Sequence, residues 1–492
     1  MVSTKKNLLK GTITPALIII SGAFLIVIYG LLFVLSIQLE FSNRQIGQEA
    51  ALHIAEAGVN YYRWHLAHDP DDFTDATGQP GPYEHDYSDP QGQPVGKYSL
   101  EVIPPSSGSS IVTIRSTGWT YQFPKIKRVV TVQYGLPSFS RYSFLSNASS
   151  WYGAGITVNG LVHSNNGIRM DGTNTSLVSS AQETYMYGSE TGCGPGYPAP
   201  NNHPQQKPGV WGAGGDQGLW QFPPTYPITT VDFDTISFDL DDMRDSAIAE
   251  GLHLDDSTPA GYHIIFADNG TFDLRRVTNV SSIKGFSAPG EGLGQEGAGG
   301  CRNLYQVITG EINLGTYSVA DNPIIFAEDD VWVEGTVKGR VTVVSASFPT
   351  QSSQRDIWVR NNLTYTAYDG SDVLGLVSQD NIFFVRDVPN NFQVDAVLMA
   401  QKGKIIRHRY TDNQCRYADN HDNPIIGSVK NNLTINGALI NYYKSYWNHS
   451  YGGTLISGFT SRTVNYDTNL LYSPPPYFPT SGEYEFISWR EE

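Results

Sequence analysis

The side chains best suited to chemistry in this sequence are two groups of closely spaced carboxylates, Glu328–Asp330 and Asp239–Asp242. Carboxylate oxygens bind calcium, and a pair of carboxyl groups serves as acid and base in glycoside hydrolysis. The spacing matches neither the EF-hand calcium loop nor a catalytic motif. Positions in a turn and at a helix N-terminus explain the two groups more simply. We therefore predict no metal site and no cofactor, with calcium as the alternative.

The other reactive residues form no catalytic pattern. His163 and Ser164 show no nucleophile elbow, and the glycine-rich run 290–300 lacks the Lys-Ser/Thr pair of a phosphate-binding loop. We assign no catalytic residue and predict that the chain is not an enzyme. A net charge of −16 argues against a nucleic-acid partner, because phosphate binding needs a basic stripe.

Aromatic residues make up 12% of the chain, and 29 of them are tyrosines. One cluster, residues 442–447, has the sequence Tyr-Tyr-Lys-Ser-Tyr-Trp. Such large amphipathic side chains bind glycans or partner proteins, and they also pack in cores and at edges. A glycan or surface receptor is therefore one predicted partner, and packing is the alternative use.

The first element that must position these residues is a long helix. No residue from Gly11 to Leu39 is charged, and this run can cross a hydrocarbon core of roughly 30 Å as one helix. It continues into an apolar stripe between Leu52 and Leu66, which Pro70 ends. We predict a transmembrane and projecting helix over residues 12–68. The residues expected to face the membrane or a filament core include Ala16, Leu17, Ile18, Leu25, Leu32 and Leu35.

The flanking charges predict how this helix is oriented. Lys5, Lys6 and Lys10 precede the apolar run, and Glu40 follows it. Because cationic flanks stay in the cytoplasm, we predict a single pass through the cytoplasmic membrane with the N-terminus inside. The bulk of the chain is then extracytoplasmic.

The predicted extracytoplasmic location bears on whether the cysteines form disulfides. Cys193 and Cys301 lie in glycine-rich loops, and disulfides form outside the reducing cytoplasm. A disulfide between them is one prediction, and three free thiols, including Cys415, are the other. The absence of C-x-x-C spacing argues against structural zinc.

After the helix, alternating apolar and polar residues predict a small antiparallel sheet. The segments 97–103, 110–118 and 126–134 each alternate in this way. Such a sheet has one buried face, and the amphipathic end of the helix can cover it. The sheet and helix end are therefore expected to pack together.

From residue 136 onward, short strands recur with tight polar turns. Residues 158–162, 333–337 and 435–439 share one pattern. Repeats of this kind predict a parallel β-solenoid, in which each rung buries its apolar side chains by stacking on the next, and a β-sandwich is the alternative. A helix at 239–251 and a hairpin around 268–270 predict an α/β insert.

The predicted fold class is α+β, mainly β, with a long N-terminal transmembrane helix, a small antiparallel sheet and a β-solenoid-like domain that carries an α/β insert. The predicted segments are a cationic leader (1–11), the helix (12–68), the antiparallel β module (69–135), the first solenoid strands with a Gly/Pro-rich loop (136–230), the insert (231–310), the β-solenoid-like domain (311–465) and an aromatic, proline-rich tail (466–492).

The N-terminal residues resemble those of type IV prepilin-like proteins, especially PilX-type minor pilins and K-type pseudopilins. The likeness covers roughly the first seventy residues: Lys10-Gly11 precedes an uncharged helix that continues into Ala55–Gly58, which reads Ala-Glu-Ala-Gly. The resemblance implies that a prepilin peptidase cuts after Gly11 and leaves Thr12 as the new N-terminus. It also implies that other pilin-like subunits are partners of the helix.

One position departs from the family pattern. Major pilins carry a glutamate at the fifth mature position, where this chain has Ala16. Minor members at filament tips often lack that glutamate, so the resemblance implies a minor pilin-like surface subunit that displays its β-rich domain for adhesion or assembly priming. The alternatives are a membrane-tethered β-helical enzyme acting on polysaccharide and a static single-pass envelope protein.

Overall fold

The structure is a computed structural model, and it describes residues 13–106, 109–188, 191–192, 205–257, 260–287, 300–348, 355–410, 427–451, 454–480 and 483–492. The chain divides into two compact units. The first comprises residues up to Pro105 together with Ile111–Gly135 and Tyr484–Glu492, and the second comprises Ser106–Ser110 and Leu136–Glu483.

The described residues contain two α-helices, α1 (Thr14–His68) and α2 (Phe233–Glu250), and 3-10 helices at Phe139–Arg141, Gln217–Leu219 and Thr468–Leu471. The strands before α2 are β1 (Tyr83–Ser88), β2 (Pro94–Ile103), β3 (Ile111–Thr120), β4 (Lys127–Gly135), β5 (Phe144–Ser146), β6 (Ser150–Tyr152), β7 (Thr157–Asn159), β8 (Val162–Ser164), β9 (Ile168–Met170), β10 (Thr173–Asn174), β11 (Val178–Ser180), β12 (Thr184–Tyr187), β13 (Gln205–Pro208), β14 (Val210–Trp211) and β15 (Trp220–Gln221).

The strands after α2 are β16 (Leu252–Leu254), β17 (Tyr262–Ala267), β18 (Thr271–Ser287), β19 (Gly300–Ser318), β20 (Ile324–Ala327), β21 (Val331–Val337), β22 (Arg340–Ser345), β23 (Ile357–Tyr365), β24 (Val373–Ser378), β25 (Ile382–Phe384), β26 (Asn391–Ala400), β27 (Ile405–Ile406), β28 (Arg409–Tyr410), β29 (Val429–Asn441), β30 (His449–Tyr451), β31 (Thr454–Asn465) and β32 (Glu485–Glu491).

The first unit is an antiparallel sheet packed against the second half of α1. The sheet has five strands in the order β1-β2-β3-β4-β32, rather than the three that the sequence predicts. Leu100, Ile114 and Val132 on its buried face share a core with Ala55 and Tyr62 of the helix. The predicted antiparallel sheet, covered by the amphipathic end of the helix, is confirmed.

A glycine sets how closely the helix approaches this sheet. A Cβ atom at Gly118 on β3 would lie 2.3 Å from the Ala51 carbonyl oxygen and 2.4 Å from the Ala55 nitrogen. Only glycine leaves room for such an approach of two backbones. The same feature explains why small residues occupy this face of α1.

Within the described residues, the second unit is built mainly from one sheet of 22 strands, in which most neighbours run parallel. One register position can be followed across it in the order Leu252, Ile325, Val343, Leu376, Leu398, Leu439, Phe144, Val162, Val178 and Trp220. These side chains are apolar, and most are buried. Stacking of successive strands therefore builds a continuous core.

Strand order in this sheet differs from chain order. The chain enters at β5, in the middle of the series, runs through β8 and β11 to β15, and starts again at β16 at the opposite end. Since adjacent strands lie about 4.8 Å apart, residues 222–251 must cross the whole series. This segment includes α2, whose Leu240, Met243 and Ala247 share a core with Ile324. From β16 the chain then builds the series back towards β5, and the two parts of the sheet join where β29 pairs with β5.

The predicted hairpin around 268–270 is confirmed by the antiparallel pairing of β17 with β18. However, β16 and β17 also pair in parallel with β20 and β21. The segment 231–310, predicted as an insert, therefore shares the main sheet instead of forming a sheet of its own. Its boundaries stay a prediction, as do those of the other predicted segments.

The C-terminal tail contributes to both units. Arg340 Nη2 donates to the Ser473 carbonyl at 3.1 Å, Thr342 Oγ1 donates to the Pro476 carbonyl at 2.5 Å, and Phe478 is buried. The proline-rich part thus packs against β22 through turns, including one closed by the Phe478 N–H on the Pro475 carbonyl, rather than as the extended strip that the sequence predicts. Beyond it, β32 joins the antiparallel sheet beside β4.

A mainly β protein with a long apolar N-terminal helix and an antiparallel sheet is therefore confirmed. The parallel β-solenoid stays a prediction.

Candidate functional site

The first half of α1 exposes apolar side chains along its length. Its most apolar stretch has a mean hydropathy of 2.8, and none of that stretch is buried. Among the described residues, α1 is the one helix long and apolar enough to cross a membrane. Glu40 and Arg44 follow the apolar stretch and form an ion pair of 2.8 Å that is itself exposed to solvent.

The structure places the residues predicted to face a membrane or filament core on this exposed half. Leu17, Ile18, Leu25, Leu32 and Leu35 are between 52% and 67% exposed. Ala16 is exposed beside them. The predicted cleavage site, Gly11 and Thr12, lies outside the described residues.

The end of α1 is held by a polar loop that the sequence analysis did not single out. Asp72 accepts hydrogen bonds from His65 Nε2 at 2.8 Å and from the Thr74 hydroxyl at 2.6 Å. These bonds, the Thr74 hydroxyl first, hold the pKa of Asp72 below its usual range. Tyr62 Oη donates to the Asp72 carbonyl at 2.9 Å. These hydrogen bonds therefore fix the loop at Asp72 to the C-terminal end of α1.

The carboxylates of Glu328–Asp330 each bind a different partner. Glu328 lies 3.0 Å from His253 Nε2. Asp329 is buried and accepts from Arg355 Nη1 at 2.9 Å and from the Ser257 hydroxyl at 2.8 Å. The carboxyl group of Asp330 has a further partner, the Asp356 N–H, so each of the three acids has its own hydrogen-bond donors.

The second predicted acid group is less informative. Asp241 and Asp242 are exposed on α2, and the side chain of Asp239 is outside what the structure describes. Within the described part of the chain, no group of three or more His, Cys, Asp or Glu side chains is arranged to hold a metal ion.

Asp330 belongs instead to a stack with Asp356 and Asn381, which we call the acid column. The Asp356 N–H donates to Asp330 Oδ1 at 2.9 Å, and the Asn381 N–H donates to Asp356 Oδ1 at 2.9 Å. The stack continues when the Lys404 N–H donates to Asn381 Oδ1 at 3.0 Å. Each side-chain oxygen therefore satisfies the backbone of the next parallel strand.

Burial changes the ionisation of this column. It raises the pKa of Asp330 well above the usual range, and the nearby Asp356 carboxyl raises it further. The pKa of Asp356 is raised by burial and by Asp380, and the pKa of Asp380 is raised by burial. These carboxyl groups therefore favour the protonated form, because a charge there loses its hydration.

A second stack, which we call the amide column, consists of Asp395, Asn436, Asn465 and Asn159. Asn436 Nδ2 donates to Asp395 Oδ1 at 2.6 Å, and Asn465 Nδ2 donates to Asn436 Oδ1 at 2.9 Å. Asn159 Nδ2 then donates to Asn465 Oδ1 at 3.3 Å. Each amide both donates and accepts, so the stack requires no added proton.

A third polar group lies around His263, and the sequence analysis missed it. His263 is 1% exposed. Its Nδ1 lies 2.9 Å from Glu311, and its Nε2 lies 3.0 Å from Glu334. Burial alone would raise the pKa of Glu311, but the hydrogen bonds from His263 and Arg275 lower it overall. No sequence spacing indicates this group, because its members come from separate strands.

The predicted disulfide between Cys193 and Cys301 cannot be placed, because Cys193 lies outside the described residues, as does the third cysteine, Cys415. Cys301 is in β19, where it pairs with Phe286 of β18. In the aromatic cluster 442–447, Trp447 is buried and thus packs in the core, whereas Tyr443 is 49% exposed. Binding of a glycan or receptor by this cluster stays a prediction.

No protein-family model and no curated protein matches this chain. Among solved structures, the competence-associated pilin ComZ from Thermus thermophilus matches with 14% sequence identity, over 91% of this chain and 97% of that chain, at a TM-score of 0.28. At that TM-score the likeness carries no argument about function.

Proposed function

We propose that this chain is a minor pilin-like surface subunit of a type IV filament system. In this proposal, α1 anchors the subunit in the cytoplasmic membrane with its N-terminus inside and later packs among the helices of other pilin-like subunits. A prepilin peptidase removes the leader after Gly11. The β-rich second unit is displayed outside for adhesion or assembly priming.

The observation that carries the proposal is the difference between the halves of one continuous helix. The half that ends near Leu39 is apolar and exposed, whereas the other half buries one face, which includes Ala55 and Tyr62, against the antiparallel sheet. Burying one leucine side chain is worth about 1.5–3 kcal/mol, so the exposed half strongly favours an apolar surrounding. Lipid supplies it before assembly, and neighbouring helices can replace lipid because both are similarly apolar.

The Lys10-Gly11 pair and the Ala-Glu-Ala-Gly continuation support the filament proposal over a static anchor. The alanine at position 16, where major pilins carry glutamate, supports a minor subunit. The long series of parallel strand pairs supports a solenoid for the displayed unit, since each strand buries its apolar side chains against the next. The separate partners of Asp329 and Asp330 support a role without catalysis.

The anchor is tested with the double substitution Leu25→Arg/Leu32→Arg. An arginine near the middle of a spanning helix costs about 3 kcal/mol on insertion, so the two changes together should abolish membrane localisation. Leu25→Ile/Leu32→Ile is the matched control. Cell fractionation should find the control in the membrane and the arginine variant outside it. If the arginine variant is distributed like the wild type, the proposal is contradicted.

The filament route is tested by the mass of the mature protein. Expression with a prepilin peptidase should give a product that begins at Thr12, and Gly11→Val should block that cleavage. A product that keeps Met1 in both cases would support the static envelope protein instead.

A further inference from the structure

We propose that a cationic cleft in the second unit binds an acidic oligosaccharide, a chain that carries uronic-acid carboxylates. The cleft is a cavity of about 560 Å³, lined by Trp151, Arg409, Lys444, Tyr446 and Arg462 among others. The proposal rests on the proposed display of this unit outside the membrane and gives that unit a ligand.

The charge of the cleft is opposite to that of the whole chain. The chain carries a net charge of −16, yet the described residues lining the cavity include Arg409, Lys444 and Arg462 and no aspartate or glutamate. His449 also lines it, but burial lowers its pKa to about 4, so it is neutral at pH 7. Lysine and arginine therefore give the cleft its positive charge, which complements carboxylates.

Aromatic rings lie beside these cations. Lys444 Nζ lies 5.4 Å from the ring centroid of Trp151. Tyr446 is partly exposed, and its ring packs edge-on to His449 with centroids 5.3 Å apart. Carbohydrates have apolar C–H faces that pack on aromatic rings, and a uronic acid adds a carboxylate at the ring edge. Adjacent aromatic and cationic side chains match both features.

Several strands fix this arrangement. Trp151 is in β6, and its indole donates to Asp171 Oδ2 at 2.9 Å. The segment that carries Lys444 and Tyr446 is held by Trp447, which is buried and donates to the Ile405 carbonyl at 3.1 Å. The cavity volume is within the range of about 300–1,000 Å³ usual for small-ligand sites. The site is therefore largely formed before a ligand binds.

The proposal is tested by calorimetric titration of the full-length protein in detergent micelles. The probes are an oligogalacturonate, a neutral glucose oligomer of equal length and a polyglutamate peptide. We expect the oligogalacturonate to bind and the affinity to fall with added NaCl. Equal affinity for the neutral oligomer, equal affinity for polyglutamate, or no binding of the oligogalacturonate would each overturn the proposal.

Variants then locate the site. Lys444→Gln/Arg462→Gln should weaken oligogalacturonate binding by about tenfold or more, and Lys402→Gln/Arg276→Gln, two exposed cations outside the cleft, should leave it unchanged. Tyr446→Leu is a second probe that keeps the charge, and it should also weaken binding. Wild-type affinity in both cleft variants, each shown to be folded by circular dichroism, contradicts the assignment. Because binding is measured on purified protein, its failure is separate from a failure of membrane localisation.

Discussion

The acid column and the amide column both connect parallel strands of the second unit through hydrogen bonds. The two columns differ in which groups donate those bonds. In the acid column, backbone N–H groups donate to Asp330, Asp356 and Asn381. In the amide column, the side-chain amides donate to one another and end on Asp395. The acids of the two columns also differ in the number of hydrogen bonds that they accept.

That difference affects how each buried acid replaces the hydration that it loses. Asp395 accepts from Tyr368 Oη at 2.6 Å, from Gln393 Nε2 at 2.9 Å and from Asn436 Nδ2 at 2.6 Å. Asp356 accepts from the backbone and side chain of Asn381 and has Asp380 as a neighbour that raises its pKa further. Donors can replace the hydration of a buried carboxylate, whereas a neighbouring carboxyl group adds repulsion. In the acid column, a bound proton removes the charge of the buried carboxyl group. In the amide column, amide hydrogens instead donate hydrogen bonds to the acid.

The largest expected effect comes from adding a third acid to the acid column. Asn381→Asp places a fully buried carboxyl group next to Asp356 and Asp380. We expect a loss of about 3–5 kcal/mol in the free energy of unfolding at pH 8, because the substitution adds a buried carboxyl group beside two others and removes the amide that donates to Asp380 at 2.6 Å. Thermal unfolding of the full-length protein in detergent, followed by circular dichroism, measures it.

The matched control for this change is Asn431→Asp, at an exposed position of β29. Its unfolding temperature should stay close to that of the wild type. If Asn381→Asp were equally harmless at pH 8, the column would be more hydrated than its burial indicates.

A smaller effect of opposite sign is expected from Asp356→Asn. The raised pKa means that the folded chain holds a proton that the unfolded chain releases above roughly pH 4. Wild-type stability therefore falls as the pH rises from that value towards the raised pKa of the folded state. Asparagine keeps the acceptor oxygen and cannot ionise, so the variant should be more stable by about 1–3 kcal/mol at pH 8 and unchanged at pH 3.5.

This prediction is checked by unfolding temperatures between pH 3.5 and pH 8. The curves of variant and wild type should separate as the pH rises, and parallel curves would show that Asp356 is ionised in the folded state. Asp369→Asn is a useful contrast, since hydrogen bonds from Ser371 lower the pKa of the exposed Asp369. Any effect of that variant should appear at neutral pH and vanish in acid.

The elements that the sequence predicts well depend on local pattern. The uncharged run and the apolar stripe that follows it define α1, and alternation defines β2, β3 and β4. The pairing of β32 with β4 was not predictable in this way, because Trp489 opposes Val132 across most of the chain length. The local sequence of neither strand indicates that the other strand is its partner.

The polar groups of the second unit show the same limit. The Glu328–Asp330 sequence attracts attention as a cluster, yet its members separate in space, and Asp330 stacks on Asp356. His263 and Glu311 are brought together only by the register of β17, β18 and β19. The resemblance of Asn361–Thr364 to Asn431–Thr434 does indicate repeated strands, but it does not say which strand follows which.

The smallest expected effect tests the amide column at its middle. Asn465→Asp keeps the oxygen that accepts from Asn159 and removes the Nδ2 hydrogens that reach Asn436 at 2.9 Å. Because these side chains are only partly buried, water can replace the lost donor, and we expect a loss of about 1 kcal/mol at pH 7. The loss should shrink near pH 3, where a protonated carboxyl group can donate again. The same unfolding measurement applies, and a loss as large as that of Asn381→Asp would mean that the two columns do not differ in their tolerance of charge.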